Sequence, residues 1–236
     1  MLDVKDLHAY YGASHVVQGI SFSVEQGEAV ALVGRNGVGK TSTLKSLMGL
    51  ETRVQGTVQL QGTSLIGMPS HVRANKGLGY VPEERAVFPQ MSVEENIRIG
   101  ALVQRGRDQT AVLDRAYELF PILKERRQQL AGTLSGGQQK MLALARGIAL
   151  QPKLLMVDEP TEGLMPANVE LIAHALLSAA QAGLTVLVVD SSFDLLRVLC
   201  SRLYAMDRGV LIGTYRPSDF SSPDELAATL LGEGSH

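Results

Sequence analysis

Residues 34–42, Gly-Arg-Asn-Gly-Val-Gly-Lys-Thr-Ser, constrain this chain more than any other stretch. They fit the spacing Gly-x-x-x-x-Gly-Lys-Thr, from Gly34 to Gly39, Lys40 and Thr41. An apolar run at 29–33 precedes them, and a helix-like segment at 42–48 follows. Strand, glycine loop and helix in that order make a phosphate-binding loop. Glycines let backbone N–H groups converge on phosphate oxygens with no Cβ in the way. The helix N-terminus adds a favourable partial charge. Lys40 is expected to reach the β- and γ-phosphates, and Thr41 to hold Mg²⁺. Asn36, Gly37 and Ser42 complete the expected cradle with Gly34 and Gly39. The blander reading is a glycine turn between strand and helix.

The rest of the chain supplies an α/β frame for such a loop. Residues 2–7, 16–24 and 28–33 alternate or run apolar between glycines, and read as strands. Residues 56–62 read as a further strand, 69–75 as a short helix, and 78–81 as a strand stopped by Pro82. Composition then shifts. Residues 92–130 are rich in Glu, Arg, Gln and Leu at helical spacing, and Ser92 with Glu95 forms a capping box. Leu113, Ala116, Tyr117, Phe120 and Leu123 space as one apolar face of a second helix. The segment 84–135 therefore reads as an all-helical lobe inserted into one domain spanning 1–236. Helix at 136–150, strand at 153–157, helix at 167–182 and strand at 185–189 restore the alternation. Short apolar strands between helices imply a mostly parallel sheet covered on both faces. The tail after Pro217 reads as polar.

Two further motifs carry chemistry. Residues 154–159, Leu-Leu-Met-Val-Asp-Glu, form a buried strand ending in two carboxylates. In open α/β sheets, ligands sit beyond the carboxyl ends of the strands. Asp158 is placed to hold Mg²⁺, and Glu159 to polarise an attacking water. Taken alone, the pair would be a strand end with solvated acids. Leu134-Ser135-Gly136-Gly137-Gln138 opens the helix at 136–150. Ser135 can cap that helix, and the glycines leave its N–H groups open to an anion.

Composition narrows the function classes. With 236 residues, 45% of them hydrophobic, the chain can bury one sizeable core. The net charge is −2 and the isoelectric point near 6.2. No basic arm supports binding to nucleic acid. Trp is absent and aromatics are 5%, so base-stacking platforms are not expected. Cys200 is the only cysteine, which excludes a disulfide framework or a paired-cysteine zinc motif and suits a reducing compartment. No signal-peptide apolar region is read at the N-terminus, and no run approaches the ~20 apolar residues of a spanning helix.

Phosphate loop, helical lobe, Leu-Ser-Gly-Gly-Gln, then Asp-Glu-Pro-Thr at 158–161 is an ordered set. In that order the chain resembles the ATPases of ABC transporters over essentially its whole length. The resemblance implies a P-loop NTPase, RecA-like α/β core with an N-terminal antiparallel β-subdomain and the inserted helical lobe. It implies ATP and Mg²⁺ as ligands, and two ATP sites at a dimer interface. Each site would pair one subunit's phosphate loop with the other's signature motif, so Ser135, Gly136 and Gly137 would contact ATP held by the partner. Tyr11 matches the aromatic that stacks on adenine, with Tyr10 as the competing assignment. Residues 80–88, 91–96 and 158–164 are most similar to an ATPase of branched-chain amino-acid importers, or of urea and short-chain amide importers.

Three positions depart from the family pattern. Glu83 stands where a lid-loop glutamine is usual, Met165 where many relatives carry an aspartate, and Ser191 where the switch histidine is expected. Ser191 is either a neutral variant or the mark of a slow site. The resemblance further implies a second ATPase subunit, expected to form a heterodimer though a homodimer stays open, two membrane permeases and an external solute-binding protein. Membrane contact would be through the permeases only, at the cytoplasmic face of the inner or plasma membrane. Residues 83–100 are the expected permease contact. Their Val87, Phe88 and Met91 suit either a partner groove or packing under the lobe. The competing functions are an ABC ATPase acting on ribosomes or DNA, and an ATP-binding scaffold with little hydrolysis of its own.

Overall fold

The computed structural model describes residues 1–51, 53–84, 87–103 and 108–231. Arg85 and Ala86, within the expected permease segment, and the tail at 232–236 lie outside the described residues. Strands β1 (Leu2–Tyr11), β2 (Ser14–Val24) and β3 (Ala29–Val33) lead into α1 (Lys40–Met48). Then come β4 (Arg53–Leu60), β5 (Thr63–Ser64), α2 (Ser70–Asn75) and β6 (Leu78–Val81). Helices α3 (Val93–Val103), α4 (Gln109–Leu119) and α5 (Pro121–Glu125) follow. The chain returns through α6 (Gly136–Ala149), β7 (Leu154–Asp158), α7 (Pro166–Gln181) and β8 (Thr185–Val189). It ends with α8 (Phe193–Leu199), β9 (Arg202–Asp207), β10 (Val210–Tyr215) and α9 (Pro223–Leu231).

Two sheets result. An antiparallel sheet runs β2-β1-β4-β5, and a larger one runs β10-β9-β3-β8-β7-β6. All neighbours in the larger sheet are parallel except β10 against β9. Its central strands are buried on both sides, and their two-residue period sorts side chains between two cores. Val30, Leu32, Leu154, Met156, Leu187 and Val189 join the core shared with the antiparallel sheet and α1. Ala31, Val33, Leu155, Val157, Val186 and Val188 point the other way, into the core formed with α6, α7, α8 and the lobe helices. Register puts Asp158 beside Val189 on β8 and Val189 beside Leu32 on β3. The phosphate loop and the acidic strand end therefore leave the sheet at one edge.

Three local expectations change. The second lobe helix does not run through Leu123. Phe120 leaves the helical region at φ −139°, and Pro121 opens α5. Proline cannot donate to the preceding turn and disfavours helical backbone just before it. Leu113, Ala116, Phe120 and Leu123 are buried all the same, because the apolar face is continued by a second helix. The strand expected at 56–62 starts at Arg53, since β1 is longer than its apolar pattern and extends the pairing to Tyr10–Arg53. The tail after Pro217 is not merely polar: Phe220 is buried, and α9 buries Leu226. The capping box at the lobe's start forms as expected, with Glu95 N–H donating to Ser92 Oγ and Ser92 N–H to Glu95 Oε2.

Candidate functional site

The loop after β3 turns on glycines that cannot be replaced cheaply. Gly34 has φ +151° and Gly39 φ +109°. A Cβ on Gly34 would collide with the Met206 carbonyl, and one on Gly39 would come within 2.9 Å of the Val16 carbonyl. Gly39 opens α1 with no side-chain cap, so the first N–H groups of this helix stay available to a ligand. Lys40 is only 5% exposed. Its ammonium donates to the carbonyls of Gly34 (2.8 Å) and Arg35 (3.0 Å), which curls the loop around it. The same Nζ lies 3.8 Å from Glu159 Oε1.

Opposite stands the end of β7. Asp158 is buried and accepts from Thr41 Oγ1 and from the Tyr80 hydroxyl, both at 3.1 Å. Burial pushes its carboxyl above the usual range, while these two bonds pull it back. Thr41 Oγ1 and the Asp158 carboxylate form a compact, hard-oxygen donor pair of the kind Mg²⁺ takes alongside phosphate oxygens. Glu159 follows with φ +44°, a left-handed conformation unusual for a side-chain-bearing residue. Its N–H donates to the Val189 carbonyl at 2.7 Å. Burial pushes the Glu159 carboxyl up to about 7, and a hydrogen bond shared with Glu162 adds to the rise. Glu83, Glu159 and Glu162 offer carboxylate oxygens within 4.8 Å of one another. Glu83 is raised as well, by desolvation and by the charges of Glu162 and Asp158.

The neighbouring strand end is organised by Asp190, another buried carboxylate. It accepts from the Thr161 hydroxyl (2.8 Å), the Thr161 N–H (3.0 Å) and the Ser192 N–H (2.7 Å). Ser191, one residue on, is exposed. At the other end of the site, Tyr11 is 75% exposed. Tyr10 is engaged already, stacked on His15 at 4.3 Å with Arg53 over its ring at 4.2 Å. That occupancy favours Tyr11 as the ring free to take a ligand. Ser135, Gly136 and Gly137 start α6 through a full capping box between Ser135 and Gln138. Gly137 packs so closely on α7 that a Cβ would stand 2.6 Å from Asn168 Nδ2.

The fold thus gathers Lys40, Thr41, Asp158, Glu159 and Glu83 around one cleft. Among the described residues, no hydrogen bond or ion pair joins Ser135, Gly136, Gly137, Tyr11 or Ser191 to the phosphate loop. Motif reading missed Tyr80, Lys140, Glu162 and Asp190. Tyr80 depends on β6 lying beside β7, a pairing of strands far apart in sequence. Glu162 and Asp190 flank recognised motifs, and their proximity to those motifs was the available signal.

Residues 17–162 match the sequence model described as ABC transporter. The chain is 37% identical over 212 residues to BraG of Pseudomonas aeruginosa, a high-affinity branched-chain amino acid transport ATP-binding protein; the match covers 90% of this chain and 91% of BraG. It is 32% identical over 236 residues to LptB of Escherichia coli, the ATP-binding protein of a lipopolysaccharide export system, covering 98% and 97%. A solved ATP-binding subunit of an ABC transporter superposes with a TM-score of 0.85 at 26% identity, covering 98% of this chain and 99% of that one. Agreement in sequence and fold along nearly the whole chain means that it belongs to the ABC transporter family, as an ATP-binding subunit that hydrolyses ATP.

Proposed function

We propose that this chain energises import of a small polar solute, a branched-chain amino acid or a urea- or amide-like compound, through a pair of membrane permeases. One observation carries the ATPase half of this reading: buried Lys40 and the Asp158–Glu159 strand end face each other, 3.8 Å apart at closest charge contact. The similarity to BraG supports the importer half. Lys40 would exchange its two loop carbonyls for β- and γ-phosphate oxygens, keeping a charge partner throughout. The loop N–H groups of residues 34–42 would wrap the phosphates, and Tyr11 would stack on the base. Thr41 and Asp158 would hold Mg²⁺, which supplies charge neutralisation at the phosphates. Glu159 would accept a hydrogen bond from the attacking water and orient it, with Glu83 at the mouth of the cleft.

Ser135, Gly136 and Gly137 would complete the site of a second ATPase subunit. Membrane attachment would then be peripheral, at the cytoplasmic face; no described helix is long and apolar enough to cross a membrane. Residues 83–100 would meet the permease. Phe88 is 46% exposed there, while Val87 packs against the core. A groove of ≈ 250 Å³ beside them, lined by Met48, Leu78, Gly100, Arg146 and Leu150 among others, could take a partner segment. An external solute-binding protein would complete the assembly. Because serine is too short to replace a histidine without a bridging water, a heterodimer would carry a slower site on this chain's phosphate loop. Ser191→His should then raise turnover, and an unchanged rate would mark Ser191 as a neutral variant.

The test is solute-stimulated ATP turnover by the transporter assembly purified with this chain. Leucine, urea and acetamide are offered with the assembly's binding protein, and lipopolysaccharide without it. Stimulation by one of the small solutes supports import. Stimulation by lipopolysaccharide alone would replace it with the export reading that the similarity to LptB favours.

A further inference from the structure

Lys140 lies five residues beyond the signature serine, on α6, and no motif singles it out. Its ammonium donates to the main-chain carbonyls of Glu159 and Glu162, both at 2.9 Å. It therefore spans from the signature helix to the loop after β7. The two carbonyls belong to residues whose carboxylates, with that of Glu83, crowd within 4.8 Å of one another. Lys140 lines the same small cleft as Glu83, Asp158 and Glu159. Its charge acts on Glu83 in the opposite sense to the neighbouring acids.

The backbone explains why a clamp is needed here. Glu159 sits at φ +44°, a region that side-chain-bearing residues occupy only where surroundings over-determine it. On one side its N–H is fixed to β8 through Val189. On the other its carbonyl is fixed by Lys140, with the Glu162 N–H at 3.4 Å as a weaker second donor. A charged donor makes the stronger bond. Without it, the peptide after Glu159 could turn back toward a relaxed conformation, which would swing the carboxylate away from the γ-phosphate side.

We propose that Lys140 is a positioning residue for ATP hydrolysis: it holds Glu159 in its left-handed conformation and ties the catalytic loop of this chain's site to the helix that begins at Ser135. The proposal rests on Glu159 orienting the attacking water. It gives that helix two tasks. Its first turn carries exposed Ser135 and half-buried Gly136 at the surface, with Gly137 buried against α7, and its second turn grips the loop of the chain's own ATP site. A shift of α6 upon engagement at one site would thus move Glu159 at the other.

The test uses the full-length chain in its transporter assembly, with Lys140→Arg, Lys140→Gln and Lys140→Met beside Lys40→Ala and Glu159→Gln. ATP affinity and turnover are measured separately, and thermal unfolding checks the fold. Lys140→Met should keep ATP affinity within about twofold and lose turnover by about tenfold or more, the scale of a lost charged hydrogen bond. Lys140→Arg should recover most of the rate, and Lys140→Gln should fall between. If Lys140→Met does not fold, arginine against glutamine decides. Turnover unchanged in Lys140→Met or Lys140→Gln, while Glu159→Gln is slow, overturns the proposal. Equal losses in arginine and glutamine variants, or a parallel loss of ATP affinity, overturn it too, because the lysine would then serve packing alone. If Glu159→Gln itself turns over normally, it is the role of Glu159 that fails, and the clamp falls with it.

Discussion

Helices α1 and α6 both begin at glycine-rich turns, and their first turns are finished in opposite ways. The start of α1 is bare: Gly39 offers no side chain, and no cap bond is made. The start of α6 is closed by its own capping box, with Ser135 Oγ on the Gln138 N–H and Gln138 Oε1 on the Ser135 N–H. A bare helix start leaves N–H donors that need a partner, and here a buried lysine sits among them. That is a receptor for a large anion. A closed start has spent two of its donors and keeps an exposed serine and a glycine edge. It can add contacts to a ligand held elsewhere and cannot hold one alone. The difference is what a site split between two subunits requires. Glu159 lies between the two helices, its carboxylate near Lys40 of α1 and its carbonyl on Lys140 of α6.

The largest effect should come from that middle position. Glu159→Gln keeps the shape and the bond from Lys140 and removes the acceptor charge. Turnover should fall by about 10²–10⁴, the usual worth of a positioned general base, with ATP affinity retained. Equal turnover would take Glu159 out of the reaction. Next comes the bare helix. Lys40→Ala leaves the phosphates without their buried cation, and ATP affinity should drop by about 10–100-fold. Equilibrium titration with a fluorescent ATP analogue reads this directly. Full affinity would mean that the N–H groups of α1 suffice.

Ser135→Ala sharpens the comparison from the capped side. It should lower stability by about 1 kcal/mol through the lost cap and leave the ATP affinity of the lone chain unchanged. Ser135→Arg should additionally stop assembly-dependent hydrolysis, because its bulk blocks a close approach. Lost ATP affinity in either lone variant would place α6 in the chain's own site and erase the contrast.

Much of this was legible in the sequence because the motifs are local. Gly34 to Ser42 and Leu154 to Glu159 carry their own strand and helix context, so their placement followed from chain order. The alternation of β3, β7 and β8 was legible as apolar runs, although the sorting of their side chains between two cores was not. Two kinds of feature escaped. Tyr80 and Lys140 act through pairings of distant elements, β6 with β7 and α6 with the loop after β7. The break at Phe120 escaped for a different reason: the apolar spacing runs through it unbroken, and Pro121 overrides that spacing. The β1–β2 pairing likewise brings His8 Nδ1 within 2.9 Å of His15 Nε2, a contact that no motif marks.

The smallest effect concerns what the crowded acids do to the empty chain. Burial raises the Glu159 carboxyl from its ordinary 4.5 to about 7. Unfolded, it titrates near the ordinary value. Between those two pH values the folded chain keeps a proton that the unfolded chain has released. Stability from this group is therefore complete below about 4.5 and is lost as pH rises through about 7. Glu83 is raised too and contributes with the same sign, so the difference between variant and wild type reads Glu159 together with its coupling to Glu83 and Glu162. Glutamine is neutral at every pH and escapes the loss. Without nucleotide, Glu159→Gln and wild type should melt together near pH 4.5, and the variant should melt a few degrees higher at pH 8. A gap that stays flat from pH 4.5 to 8 would mean that Glu159 ionises freely in the folded chain, and that the site reaches its charged state without help from nucleotide.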